Sequence, residues 1–200
     1  MQKNMFKSES DQLHYMIPLM LDLSALSVLV IGDGVVGRRK AEYFADQCRE
    51  ICIINDLPEN PDSLIASYDI IVAATASDAV NETVCGIAKT LNKWYNSATG
   101  VGNFLIPAAF FAENFTLAVS TEGKAPAAAA FIRTKIRERY PSLPQMISLQ
   151  ETLRAELKET VPEQTRRAEI LRSVLDDAEV WQALDAGDAD KALTLSRRHI

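Results

Sequence analysis

The sequence predicts an α/β fold that begins with a parallel β-sheet, continues through a small α+β region and ends in an all-helical domain. Over the first 120 residues, short apolar runs rich in β-branched residues alternate with longer amphipathic stretches, as in successive βα units. From Pro141 onward the apolar residues recur only at helical spacing. We therefore expect three parts, residues 1–110, 111–140 and 141–200.

Four strands are predicted in the first part, and their apolar content is too continuous for either face to be solvated. Helical spacing fills two of the connections between them, whereas the crossover at 58–67 has no clear pattern. The strands are expected at 27–31, 51–55, 69–74 and 93–98, and the helices at 36–47 and 80–91.

The pattern changes beyond Pro107. A strand is predicted at 115–120, and a helix is predicted at 126–139 because Pro126 suits the first turn of a helix. Three further helices are expected at 143–157, 162–175 and 179–196.

Charge and composition exclude several classes of protein. The formal net charge is −6, from 21 basic and 27 acidic residues, so no broad cationic surface for nucleic acid or anionic lipid is expected. The apolar stretches are shorter than the roughly 20 residues that span a bilayer. The polar start of the chain lacks the basic-then-apolar order of a signal peptide, and the odd number of cysteines argues against a disulfide framework. We expect a cytoplasmic protein with reduced thiols.

A glycine-rich turn, Gly32-Asp33-Gly34-Val35-Val36-Gly37, directly follows the first strand and opens a helix. In a Rossmann domain, the first glycine permits the tight turn, the second lets backbone amides approach a pyrophosphate, and the third lets helix and strand pack closely. The helix N-terminus then faces the phosphates. This context predicts a dinucleotide cofactor, with Val35 and Val36 beside it. The alternative is a turn that binds another nucleotide, or none.

The ends of the next two strands add to this cofactor site. The second strand ends in Asn55 and Asp56, and Asp56 lies 22 residues beyond Gly34, where a carboxylate is expected to accept hydrogen bonds from the adenosine ribose. Asp56 therefore favours NAD, although Arg38 and Arg39 leave NADP as an alternative. The third strand ends in Ala74 and Thr75, where small residues leave room for a cofactor or simply allow tight packing.

Four motif segments together resemble the precorrin-2 dehydrogenase family, which includes the N-terminal module of siroheme synthase. The segments span roughly residues 15–140. They are PLMLDL into VLVIGDGVVGRRK at 18–40, AATASDAVN at 73–81, Asn96 with FLIP at 104–107, and AVSTEGKAP at 118–126.

The resemblance implies a homodimer that binds NAD and oxidises precorrin-2 to sirohydrochlorin, with iron insertion added in some members. Asn96 and Lys124 would contact the substrate, and Thr99, Ser120 and Thr121 would be the catalytic positions. Family members often carry an aspartate where this chain has Thr99, or Val101 in another alignment. A threonine hydroxyl ionises too reluctantly to act as a general base at neutral pH, so chelatase activity is doubtful.

The substrate that the family implies carries eight carboxylates, for which Lys124 and the amides of 121–123 at a helix N-terminus are suited. For Ser120 and Thr121, the alternative role is to cap that helix or line an interface. No metal site is predicted: His14 and His199 are interpreted as solvated, and Cys48 and Cys52 as packing thiols. Two rival functions stay open, a non-catalytic carrier or regulatory partner and a nucleotide-sensing module.

Overall fold

The computed structural model describes residues 16–200, which divide into two compact units at Ile106 and Pro107. The first unit contains β1 (Ser27–Ile31), α1 (Val35–Ala41), β2 (Glu50–Ile54), α2 (Pro61–Ala66), β3 (Ile70–Ala73), α3 (Asp78–Thr90) and β4 (Trp94–Ser97). The second contains β5 (Ala108–Phe111), β6 (Thr116–Val119), α4 (Pro126–Arg139), α5 (Leu143–Thr160), α6 (Gln164–Leu175), α7 (Ala178–Asp185), α8 (Ala189–Ser196) and a 3-10 turn, Arg197–His199.

The first unit is built on a parallel sheet with the strand order β2-β1-β3-β4. Alternate residues of β1 face opposite layers: Val28 and Val30 pack with Ala41 of α1, whereas Leu29 and Ile31 pack with Val84 of α3. The strand order reverses between β1 and β3, which is where open α/β sheets bind ligands at the carboxyl ends of their strands.

The expectation that all four strands are covered on both faces is wrong for the two edge strands. β1 and β3 are buried throughout, but Ile53 of β2 and Trp94 of β4 are 42% and 41% exposed. Two helices also differ from the prediction. Regular helix α1 ends at Ala41 rather than at 47, and the unclear crossover contains α2.

The second unit opens with a hairpin that the sequence analysis only half predicted. β6 matches the expected strand, but β5 was missed because its four residues directly follow Pro107 and give no readable alternation. The two strands pair antiparallel, with Ala108 opposite Val119. Helix α4 has the predicted bounds, and only Ala129 on it is buried.

The helical core of the second unit lies among α5 to α8, around buried side chains such as Leu153, Val174 and Leu195. The single helix predicted at 179–196 is wrong. Gly187 has a φ of +76°, which ends α7, and Asp188 caps α8 by accepting a hydrogen bond from the Lys191 amide. No helix of residues 16–200 is both long and apolar enough to span a bilayer. The boundaries at 110 and 140 stay predictions.

Candidate functional site

The glycine turn leaves β1 in a conformation that side chains would obstruct at two of its three glycines. Gly32 has a φ of +111°, and a Cβ there would collide with the backbone of Ala74 and Thr75 at the end of β3. A Cβ on Gly37 would collide with the Gly32 carbonyl oxygen. The Gly32 amide donates to the Ile54 carbonyl over 2.8 Å. The turn therefore ties together the ends of β1, β2 and β3.

Gly34 differs from the other two glycines, since a Cβ there would meet no atom within 4 Å. It is exposed and immediately precedes α1. Packing within the chain does not require a glycine at this position. A glycine also permits close approach of a ligand to the backbone, so the turn is suited to the pyrophosphate of a dinucleotide, whose charge the N-terminus of α1 would favour. Val35, which is 86% exposed, and Val36 border the same surface.

The end of β2 carries the acidic group expected for ribose recognition. Asn55 and Asp56 are both exposed, and the Asn55 side-chain amide donates to Asp56 Oδ2 over 2.8 Å. Arg38, which could have favoured a ribose 2′-phosphate, instead bonds to Asp33. Its Nε lies 2.7 Å from the Asp33 carbonyl oxygen, and its Nη2 lies 3.2 Å from the Asp33 carboxylate.

Thr75 and Thr99, at the ends of β3 and β4, are joined through one buried side chain, Asn81 of α3. Asn81 Oδ1 accepts hydrogen bonds from the Thr75 amide and hydroxyl, both over 2.9 Å. Asn81 Nδ2 donates to the Thr75 carbonyl over 3.1 Å and to Thr99 Oγ1 over 3.2 Å. Asn81 is fully buried, so it fixes the position of both threonines.

Asn96 of β4 has both atoms of its side-chain amide engaged inside the protein. Its Nδ2 donates to the Phe104 carbonyl over 3.0 Å, and its Oδ1 accepts from Lys40 Nζ of α1. The residue is only 3% exposed. Burial, assisted by the neighbouring Arg39, holds the pKa of Lys40 below its usual value.

Ser120, Thr121 and Lys124 lie in the turn between β6 and α4, in the second unit. Ser120 Oγ accepts from the Glu122 amide over 3.1 Å, and Thr121 Oγ1 accepts from the Ala125 amide over 3.0 Å. Lys124 Nζ lies 2.9 Å from the Glu122 carboxylate. Both hydroxyls support the turn, but neither caps α4, whose first turn has no side-chain capping hydrogen bond, so the helix-capping alternative is wrong. Their catalytic role stays a prediction.

Within residues 16–200, no group of three or more His, Cys, Asp or Glu side chains is placed to hold a metal ion. His14 lies outside the described residues. The interpretation of His199 as a solvated imidazole is wrong, because its Nε2 lies 2.8 Å from Asp177 Oδ2 and its side chain is only 25% exposed. A cavity of about 330 Å³ in the second unit is lined by Phe110, Arg137 and Pro144 among others, and by none of the predicted site residues.

Comparison with known proteins decides the family. A family model described as NAD(P)-binding matches residues 19–108. Over 191 residues the chain is 30% identical to the precorrin-2 dehydrogenase of Methanosarcina barkeri, which covers 82% of this chain and 85% of that protein. The chain belongs to the precorrin-2 dehydrogenase family.

Two further members of that family bear on the assignment. The precorrin-2 dehydrogenase of Priestia megaterium is 27% identical over 183 residues, which cover 81% of this chain and 90% of that protein. The solved structure of SirC, a precorrin-2 dehydrogenase, superposes with a TM-score of 0.68 over 92% of this chain and 100% of that chain, at 23% identity. The predicted α/β fold and the predicted NAD-type cofactor are confirmed.

The sequence analysis did not assign two residues that the structure places in this site, Asn81 and Lys40. Asn81 shares the buried face of α3 with Val84 and Ala88, and an amide at an apolar position of an amphipathic helix was a readable signal. Lys40 is the last residue of the motif segment at 18–40, but its contact with Asn96 joins residues 56 apart in the chain.

Proposed function

We propose that this protein catalyses the NAD-dependent oxidation of precorrin-2 to sirohydrochlorin. The observation that carries the proposal is the open surface at Gly34, in a turn whose other two glycines are required by packing. That surface occurs in a chain that aligns over most of its length with proteins named precorrin-2 dehydrogenase.

The residues of the first unit divide into two roles under this proposal. The backbone at Gly32, Gly34 and Gly37 holds the cofactor's pyrophosphate, and Val35 and Val36 flank it. Asp56, with Asn55 beside it, accepts hydrogen bonds from the adenosine ribose, because an exposed carboxylate suits two hydroxyls and repels a 2′-phosphate. NAD is therefore the preferred cofactor.

Positioning is the main contribution of the remaining residues. Ala74 is buried against the glycine turn, where its small side chain allows tight packing. Asn81 holds Thr75 and Thr99 at the strand ends that would border the nicotinamide side of the site. When bound, NAD⁺ accepts the hydride that leaves the substrate ring. Asn96 and Lys124 are proposed to contact the substrate.

No carboxylate stands at the position that often carries an aspartate in the family, since Thr99 occupies it. Solvent then takes the proton released with the hydride, and the conjugation gained in the product favours the reaction. Metal insertion must remove two pyrrolic protons, so it depends more strongly on a base. We accordingly propose a dehydrogenase with weak or no chelatase activity.

The decisive experiment incubates the purified protein with precorrin-2 and NAD⁺ and follows the absorbance of NADH together with the sirohydrochlorin spectrum. Both signals should appear together and should depend on NAD⁺. Absence of both at high enzyme concentration would refute the proposal. In parallel, Thr99→Asp should raise metal insertion into sirohydrochlorin more than it raises dehydrogenation, because metal insertion depends more strongly on a base.

A non-catalytic carrier or regulatory relative is the second candidate, and Thr99 is the observation that favours it. Calorimetry separates the two candidates: tight tetrapyrrole binding without turnover indicates a carrier, and measurable turnover excludes it.

We also propose a homodimer formed through residues 111–140. Helix α4 buries only Ala129, and Phe131 and Ile132 are 61% and 42% exposed on it, so its apolar face is available to a second copy. Light scattering should give twice the chain mass of 22.1 kDa, and Phe131→Glu should reduce it. A monomer at micromolar concentration would contradict this. A cytoplasmic location stays a prediction.

A further inference from the structure

Three consecutive cations follow the glycine turn, and they differ in their partners. Arg38 pairs with Asp33. Arg39 and Lys40 have no carboxylate within ion-pair distance among residues 16–200. Arg39 is exposed, so water solvates its charge, but Lys40 is half-buried, and its ammonium is held only by the neutral Asn96 oxygen.

The position of Lys40 is fixed from two sides. Its backbone belongs to α1, which begins at the cofactor turn, and its Nζ reaches the side chain of Asn96 on β4. Asn96 cannot rotate freely, because its Nδ2 is bonded to the Phe104 carbonyl. An ammonium group has three N–H donors, of which Asn96 satisfies one. The lysine is therefore held in place with donors to spare.

We propose that Lys40 is an anion-binding residue of the site, which Asn96 orients so that the ammonium bonds an anionic oxygen of a bound ligand. Two ligands offer this chemistry, the pyrophosphate of NAD and a carboxylate of the tetrapyrrole. The tetrapyrrole arm rests on the proposed function, whereas the NAD arm needs only the dinucleotide domain.

Electrostatics agrees with this assignment. Taking an ammonium out of water without a counter-charge disfavours its charged form, which is why burial lowers the pKa of Lys40. A negative ligand would restore the balance and raise that pKa again. A lysine with a purely structural role would show no such response to either ligand.

The test measures binding rather than turnover, so failure of precorrin-2 oxidation leaves it intact. Lys40→Gln removes the charge and keeps an N–H donor for Asn96, Lys40→Arg keeps the charge, and Lys93→Gln is the matched control. Lys93 also donates to a neutral oxygen, the Ala66 carbonyl over 2.7 Å. Calorimetry gives the dissociation constant for NAD⁺, and an absorbance titration gives that for sirohydrochlorin.

Lys40→Gln should raise the dissociation constant of one of these ligands about tenfold to a hundredfold, because a charge-assisted hydrogen bond is lost. Weaker sirohydrochlorin binding identifies a carboxylate, and weaker NAD⁺ binding identifies the pyrophosphate. Lys40→Arg should lose less than Lys40→Gln, and Lys93→Gln should change neither constant. Unchanged binding of both ligands, or equal losses in the two Lys40 variants, would overturn the proposal.

A measurement on the parent protein covers the case in which a variant fails to fold. NMR spectra of the parent protein, with lysine side chains labelled with ¹³C, report the titration of Lys40. Its signal is assigned by triple-resonance experiments or, where Lys40→Arg folds, from the signal missing in that variant. The Lys40 signal should titrate at higher pH when the ligand is present. A titration that neither NAD⁺ nor sirohydrochlorin moves would overturn the proposal.

Discussion

The central strands of the first unit and the hairpin strands of the second are buried to very different extents. In the first unit every residue of β1 and β3 is buried, whereas in the second no residue of β5 or β6 is fully buried. The glycine turn and the Asn81 contacts therefore rest on a core that is complete within the unit. The hairpin and α4 lack such a core, although the helices α5 to α8 that follow them have one. Burial within one chain therefore accounts for the stability of the cofactor site but not for that of the hairpin.

The largest expected effect is on the stability of the second unit, and it compares the helical core with α4. Leu153→Ala removes a fully buried side chain from the helical core, which should lower the free energy of unfolding by about 2–5 kcal/mol. Phe131→Ala removes a larger side chain that is 61% exposed. Urea unfolding of both variants, under conditions in which the protein is monomeric, should leave Phe131→Ala close to the parent. A loss as large as that of Leu153→Ala would contradict the contrast.

A second prediction separates packing from ligand approach within the glycine turn. Gly37→Ala should destabilise the first unit by about 1–3 kcal/mol, because its Cβ meets the Gly32 carbonyl and the backbone must shift. Gly34→Ala makes the same chemical change where no atom lies within 4 Å. It should leave the melting temperature unchanged and still weaken NAD⁺ binding, as calorimetry would show. If Gly34→Ala bound NAD⁺ as the parent does, the open surface would not be the phosphate site.

The smallest expected effect concerns the last turn of the second unit. The hydrogen bond from His199 holds the pKa of Asp177 below its usual value, helped by the amides of Glu179 and Val180 and opposed by burial. Because this pKa is lowered on folding, the stabilisation is present above pH of about 3.9, the unfolded value, and is lost as pH falls through the folded pKa.

His199→Ala should therefore cost about 1 kcal/mol or less near neutral pH, in the range of partly exposed pairs. The difference from the parent in thermal unfolding should shrink toward pH 3. Arg166→Ala, which breaks the exposed pair with Glu169, is the control and should have almost no effect. A difference for His199→Ala that stays constant down to pH 3 would contradict the role of Asp177.

Features set by neighbouring residues were predictable from the sequence, and features set by distant residues were not. β1 and α4 have the predicted bounds, because an apolar β-branched run and a proline in the first turn of a helix are local signals. The turn Gly32–Gly37 was likewise predictable from its local sequence. The exposure of Ile53 depends on β2 being an edge strand, and strand order is not a local property.

The same limit applies to the candidate site. Asn81 meets Thr99 across 18 residues, and Lys40 meets Asn96 across 56, so neither contact was visible in a motif. The break at Gly187 is a different case. A single glycine between two amphipathic stretches is compatible with a continuous helix, and the left-handed φ that ends α7 becomes evident only in three dimensions.

The order of strands in the first sheet also constrains how this protein is made. β1 is the first strand within residues 16–200, yet it lies between β2 and β3 and pairs with both. A ribosome therefore releases a largely apolar strand whose two edges stay unpaired until residues 50–54 and 70–73 have emerged. Such an intermediate exposes the kind of segment that aggregates, so slowing synthesis between Ile31 and Ala73 should lower the yield of folded protein.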